Sequence, residues 1–337
     1  MIEKDINFKK KLNYEKQKSR ISECIWGEFQ ENSCKGKIVK AHSIQRRKIL
    51  EKISDNGLIQ TLELITENGK LVTSFESIGI AKFSTFTGFC QKHDKEIFQP
   101  IEDKIFNQEL EQKYIYAYRA VTKEYHTKKE SLHITDKRLT ELNNNNNQEM
   151  IFPLQMKLIQ DGMSLLEFKD ISKFFQDNIN KKVFLGMKNY YISFDQEYPI
   201  ACSSTFIPYY DFIGNPLFTD EEKQQISLNA NEPKDTKYLF VNIFPENGKT
   251  HILISHFKNQ KKKYKFLSKL IKLDGKNLKI NISNMIINYI ENIAFSPIYI
   301  NENFSQDEIK LLKETFIKSV INPNDFIDLK LNLFRDT

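Results

Sequence analysis

Two short windows hold the residue types best suited to chemistry. Within 24–46 the chain reads Cys24-Ile-Trp-Gly and then Cys34-Lys-Gly-Lys-Ile-Val-Lys-Ala-His42. Within 86–98 it reads Phe86-Thr-Gly-Phe-Cys90-Gln-Lys-His93-Asp94. Three of the chain's 4 cysteines and two of its 6 histidines fall in these windows. Thiolate and imidazole are the donors from which tetrahedral zinc sites are built. Cys90 and His93, two residues apart in the intervening chain, can offer two ligands where the chain turns into a helix. Cys24 and Cys34 are separated by nine residues, so the first half of the site is irregular; Gly36 lets the backbone turn close to an ion. The pattern predicts Cys24, Cys34, Cys90 and His93 as one structural Zn2+ site, with His42 as the alternative ligand if Cys24 points elsewhere. The competing reading is unrelated thiols buried as small core residues in a reducing cell.

Something must position those residues, and composition says what kind of chain does so. At 337 residues, 40% hydrophobic with 26 Phe and 14 Tyr, it is globular and long enough for two domains or more. Fifty basic against 44 acidic residues leave a net charge of +6, a modest bias that permits a polyanionic partner. Four cysteines do not make a disulfide scaffold in so long a chain. Residues 1–20 are charged throughout, with no apolar core of a secretory signal, and no run approaches the roughly 18 apolar residues of a membrane span. The expectation is a soluble cytoplasmic protein with no membrane partner. Phosphate-binding Gly loop, nucleophile elbow and dinucleotide fingerprint are all missing from the sequence, which points away from those chemistries.

In order, a Lys-rich lead-in at 1–20 precedes the first window, and 37–41 reads as a short strand ending at His42. Helical spacing follows over 44–55, stopped by Asn56-Gly57. Two β-like runs, 58–65 and 70–75, flank an Asn68-Gly69 hairpin signal. A helix is predicted from Asp94 to Pro100. Residues 108–142 and 151–178 are two long amphipathic helices around the asparagine tract 143–147, a helical hairpin. The first carries one apolar stripe of Leu110, Tyr114, Ala117, Tyr118, Val121 and Tyr125, with charge opposite. From 181 the pattern turns to β, with runs at 183–185, 190–194, 200–207, 238–244 and 251–257, then helical spacing over 262–273, 283–294 and 306–320. The fold class is α+β: a zinc-binding finger at 20–106, a helical hairpin at 107–180, and an antiparallel β-sheet domain with helices at 181–337.

Lys40-Ala41-His42-Ser43-Ile44 together with Phe89-Cys90-Gln-Lys-His93-Asp94 resembles the HNH endonuclease superfamily in its cysteine-bearing branch. There, zinc-binding pairs bracket a hairpin and a histidine motif ends its first strand. The likeness covers about a fifth of the chain, which also looks like bacterial proteins that join such a finger to a longer C-terminal region. It implies a treble-clef or ββα-metal fold acting on nucleic-acid phosphodiesters, in a bacterial defence or mobile-element setting. It further implies His42 as general base and Asp94 at a catalytic Mg2+ or Mn2+, with His93 an alternative holder of that ion. Lys40, Arg46, Arg47 and Lys92 would neutralise backbone phosphates. The pattern departs from the family at Ala41 and Ser43, which cannot bind an ion beside the base, and 55 residues separate Cys34 from Cys90.

The alternative of another class is a non-catalytic, zinc-stabilised scaffold for a nucleic acid or protein partner. Arg119 and His126, six residues between them, resemble the Arg–His pair of HEPN ribonucleases, but are read here as a solvated helix face. Cys202 is expected in the core. His251 and His256 should lie on opposite faces of one strand. The lysines at 261–265 could grip nucleic-acid phosphates but are read as a solubilising surface.

Overall fold

Five strands from the C-terminal half and one hairpin from the N-terminal part build one broad sheet that both helical layers pack against. The computed structural model describes residues 20–30, 34–144, 151–228, 236–322 and 325–336. The lead-in expected at 1–20, apart from Arg20, and most of the asparagine tract lie outside the described residues.

The strands are β1 (Ile38–His42), β2 (Leu58–Glu67), β3 (Lys70–Gly79), β4 (Thr85–Cys90), β5 (Met187–Phe194), β6 (Ile200–Phe206), β7 (Leu239–Glu246), β8 (Lys249–Phe257) and β9 (Ile293–Phe295). β1 and β4 make an antiparallel pair of their own. The rest form a seven-stranded antiparallel sheet in the order β3-β2-β9-β6-β7-β8-β5. The pleat sorts its side chains with period two. Leu239, Val241 and Ile243 of β7 join one core with the C-terminal helices α4 (Gly275–Tyr289), α5 (Pro297–Asn303) and α6 (Gln306–Ile321). Phe240 and Phe244 join the opposite core. That second core holds Trp26 and Phe89 from the N-terminal unit and Tyr118 and Phe175 from the hairpin α2 (Leu110–Asn144) and α3 (Ile151–Asn180). The result is three layers: sheet in the middle, C-terminal helices on one face, hairpin and N-terminal unit on the other.

After β4 the chain enters α1 (Gln91–Glu102), which gives a β1–β4–α1 unit, the ββα order. Asp94 lies in its first turn, where the helix dipole favours a carboxylate. The helix does not stop at Pro100 as expected but runs two residues further. Residues 44–55 form a π-helical turn (Arg46–Leu50) continuing into Glu51–Ile53. The β2–β3 hairpin, though inside the 20–106 segment, adds to the large sheet through β2 and β9 rather than to β1 and β4. The long interval between Cys34 and Cys90 is therefore mostly an insertion into the ββα unit that serves the other sheet.

Four further expectations need correction. Helical spacing over 283–294 mislabels its end: α4 closes at Tyr289, and Ile293–Phe295 is β9, fully buried in the middle of the sheet. Residues 183–185 are not a strand, and only Leu267–Leu270 of 262–273 is α-helical. Residues 114–122 of α2 are buried on every side, so the helix has no solvent face there. It passes between the ββα unit and the sheet, contacting β4, β6 and β7. Cys202 is core, as expected. His251 and His256 contact Phe106 and Tyr264 respectively, on opposite faces of β8. No helix among the described residues is long and apolar enough to cross a membrane.

Candidate metal centre and basic groove

Four side chains from three separate pieces of chain converge at the base of the ββα unit. Cys24 caps a short 3-10 turn (Ile25–Glu28), Cys34 lies before β1, and Cys90 and His93 open α1. His93 Nδ1 is 3.3 Å from Cys24 Sγ, 3.3 Å from Cys90 Sγ and 3.7 Å from Cys34 Sγ. All four ligand atoms lie within 4.8 Å of one another, a set that can hold a metal ion. Among the described residues no other group of three or more His, Cys, Asp or Glu side chains converges in this way.

The local backbone is shaped for close approach. A Cβ added at Gly27 would lie 2.4 Å from Cys34 Sγ, so this position admits no side chain without moving a ligand. Gly36 has φ +85°, a left-handed conformation that glycine adopts without strain. Trp26 lies beside the His93 ring at a centroid distance of 5.9 Å, the two planes tilted by 42°.

Burial pushes the Cys24 thiol up to about 12, so it ionises only with a cation beside it. Burial acts the same way on Cys90, but hydrogen bonds from the backbone of His93, Lys35 and Lys92 and from the Cys24 side chain outweigh it and bring that thiol below its ordinary value. Burial, with the Lys92 charge, lowers His93 and keeps its ring neutral. Deprotonated thiols and a neutral imidazole are the forms that bind metal.

A second feature lies on the other side of the same unit. Lys40, His42, Gln45, Arg46, Arg47, Lys48, Asp94, Glu102 and Asp103 line an open groove of about 730 Å³. Lys40 and His42 share a face of β1 because Ala41 between them turns into the core. His93 and Asp94 are consecutive on a helix, about 100° apart, which sends one to the metal cluster and the other to the groove.

His42 Nε2 lies 3.1 Å from the Ile80 carbonyl. A carbonyl only accepts, so Nε2 carries the proton and Nδ1 keeps the free lone pair. Burial lowers His42, and the like charges of Arg119 and Arg46 lower it further against the pull of the Ile80 bond, so the ring is neutral at pH 7. Asp94 Oδ1 is buried without a hydrogen-bond partner, and burial raises its carboxyl while Arg119 opposes.

The structure thus brings Cys24, Cys34, Cys90 and His93 together, with His42 outside that set. It gathers Lys40, His42, Arg46, Arg47 and Asp94 around one groove. Lys92 is not there; it faces Glu96 across 4.0 Å on the outer side of α1. Arg46 also approaches Glu51 at 3.5 Å.

Reading Arg119 and His126 as a solvated face is wrong. Both are 1% exposed, because α2 is enclosed where they sit. They serve different neighbours, Arg119 binding Glu102 and His126 bonding the Ile21 carbonyl at 3.0 Å. Sequence reasoning missed Lys48, Glu102 and Asp103 in the groove. Glu102 carried a signal, since Asp94, Phe98 and Glu102 recur at every fourth position of α1.

No family model matches the chain, and comparison with the curated proteins and with the solved structures likewise finds no match.

Proposed function

We propose that this chain is a zinc-stabilised, HNH-like nuclease whose groove cleaves a nucleic-acid phosphodiester, with His42 as the general base. The observation that carries this reading is the fixed tautomer of His42. Its Nε2–H is committed to the Ile80 carbonyl, the ring is neutral, and Nδ1 can take a proton from water. Zinc is the metal that the donor set fits best. With Zn–S near 2.3 Å and Zn–N near 2.05 Å, a tetrahedron puts sulfur and nitrogen about 3.6 Å apart. The three spacings of 3.3, 3.3 and 3.7 Å bracket that value. Three thiolates and one imidazole leave no open position, so the role of this centre is to fix β1 against α1.

Lys40, Arg46, Arg47 and Lys48 supply the cationic rim that holds phosphate, with Arg46 and Arg47 in the first turn after His42. Asp94 offers an unpaired carboxylate oxygen. Asp94 would be the residue to hold a Mg2+ or Mn2+ ion, which would supply charge stabilisation to the phosphodiester during cleavage. The second reading, a scaffold that binds nucleic acid or protein without cutting, draws support from a specific fact. His42, Asp94 and Glu102 are not converged as a ligand set.

One assay separates the two readings: plasmid DNA and a structured RNA incubated with purified protein and Mg2+ or Mn2+, beside His42→Ala. Cleavage that disappears in His42→Ala while zinc content is unchanged supports the nuclease. Retention of substrate in gel shifts without cutting, equal in both proteins, selects the scaffold.

A further inference from the structure

Behind the groove lies a residue that belongs to neither the ββα unit nor its insertion. Arg119, on α2, is 1% exposed and ranks among the largest fully buried side chains. Its guanidinium stacks on Phe98 at 4.3 Å and Nη2 donates to Glu102 Oε1. Asp94, Phe98 and Glu102 share one face of α1, so Arg119 lies along that face, its ring contact in the middle. Nε and Nη1 have no hydrogen-bond partner among the described residues, and neither has Asp94 Oδ1.

A buried arginine kept only for stability has its donors satisfied, and an apolar side chain of similar size commonly does that job as well. A guanidinium left with spare donors, beside a carboxylate with a spare acceptor, is a poor core element but a useful electrostatic one.

We infer that Arg119 is a positioning residue of the groove: from outside the ββα unit it anchors Glu102 and lays a fixed positive charge beneath His42 and Asp94. The inference rests on the functional reading above, and gives the hairpin a part in the site. It makes α2 the element that couples the groove to the sheet, because the backbone carbonyl of Tyr116, three residues before Arg119, accepts a hydrogen bond from the Asn242 side-chain amide of β7 at 3.2 Å. The charges around His42 are Lys40 on its own strand and Arg46, Arg47 and Lys48 on the next turn. Asp94, Glu102 and Asp103 come from α1, and Arg119 comes from α2. Of these, Arg119 and Arg46 are the cations that depress His42, and Glu102 opposes them.

The test follows the His42 ring signals by NMR as a function of pH in the full chain. Variants are Arg119→Met, Arg119→Lys and Glu102→Gln, with zinc content and melting temperature measured alongside. Removing the positive charge in Arg119→Met is expected to raise the His42 pKa by about one unit, and Arg119→Lys to restore most of the shift. Glu102→Gln, which leaves Arg119 in place, is expected to move it the other way. If Arg119→Met does not fold, Arg119→Lys and Glu102→Gln still decide: an unmoved His42 in Glu102→Gln, or a Lys variant with a fully relaxed pKa, overturns the inference. If cleavage is found, its acid limb is expected to move with the His42 titration in each variant. If the wild-type chain cuts neither DNA nor RNA, the nuclease reading fails, and the NMR titrations judge Arg119 independently.

Discussion

Gly27 offers a sharp perturbation of the metal centre because it is not itself a ligand. A methyl group at this position would lie 2.4 Å from Cys34 Sγ, too close for the two to coexist, so Gly27→Ala must displace either that sulfur or the turn that carries Cys24. Either movement breaks the spacing of 3.3–3.7 Å that the three sulfurs keep from His93 Nδ1. Disturbing residues that hold ligands in place costs about 10–100-fold in metal affinity, or roughly 1.4–2.7 kcal/mol. Because the ligand itself is moved here, the upper part of that range is expected. The assay is competition for zinc against a chromophoric chelator of known affinity. Gly79→Ala serves as control, since a Cβ there meets nothing within 4 Å. Equal zinc affinity in Gly27→Ala and wild type would refute the placement of Cys34 in the ligand set.

Three further outcomes follow from the groove. Because His42 titrates below the ordinary 6.5, its base form persists as pH falls through that value; His42-dependent cleavage should stay flat past pH 6.5 and decline only below it. The same shift means the unfolded chain binds this proton more tightly, so His42→Asn should flatten the loss of stability on acidification, as measured by urea denaturation between pH 7 and 5. On duplex DNA, Arg47→Ala and Lys48→Ala should each lower the salt slope of binding by about 0.9, whereas Lys92→Ala, outside the groove, should leave it unchanged. A response to Lys92→Ala equal to the other two would move the interface to the outer side of α1.

What could be read from the sequence was whatever depended on residue type and short spacing. Cys90 and His93 lie close together where the chain turns into a helix, and thiols are rare enough in this chain that their clustering pointed to Cys24 and Cys34 as their partners. The long helices and the antiparallel strands were legible from periodicity. The floor of the groove was not. Glu102 was not singled out and Arg119 was read as a solvated helix face, because a helical pattern cannot show that a second layer covers the polar side as well. Residues 114–122 lose their solvent face only once the ββα unit and the sheet close on them. β9 escaped because a three-residue strand is shorter than any periodic signal, and its place beside β2 and β6 is set by pairing with distant chain. For the same reason, the β2–β3 hairpin was read with its sequence neighbours instead of with the sheet it extends.

Zinc-edge X-ray absorption on protein purified without added chelator tests whether the Cys24, Cys34, Cys90 and His93 cluster between β1 and α1 holds zinc, as proposed. The expected result is one zinc per chain with three sulfurs near 2.3 Å and one nitrogen at about 2.0–2.1 Å, the signature of Cys24, Cys34, Cys90 and His93. Two nitrogens and two sulfurs, with the second nitrogen lost in His42→Ala, would place His42 in the metal shell and remove it as the base.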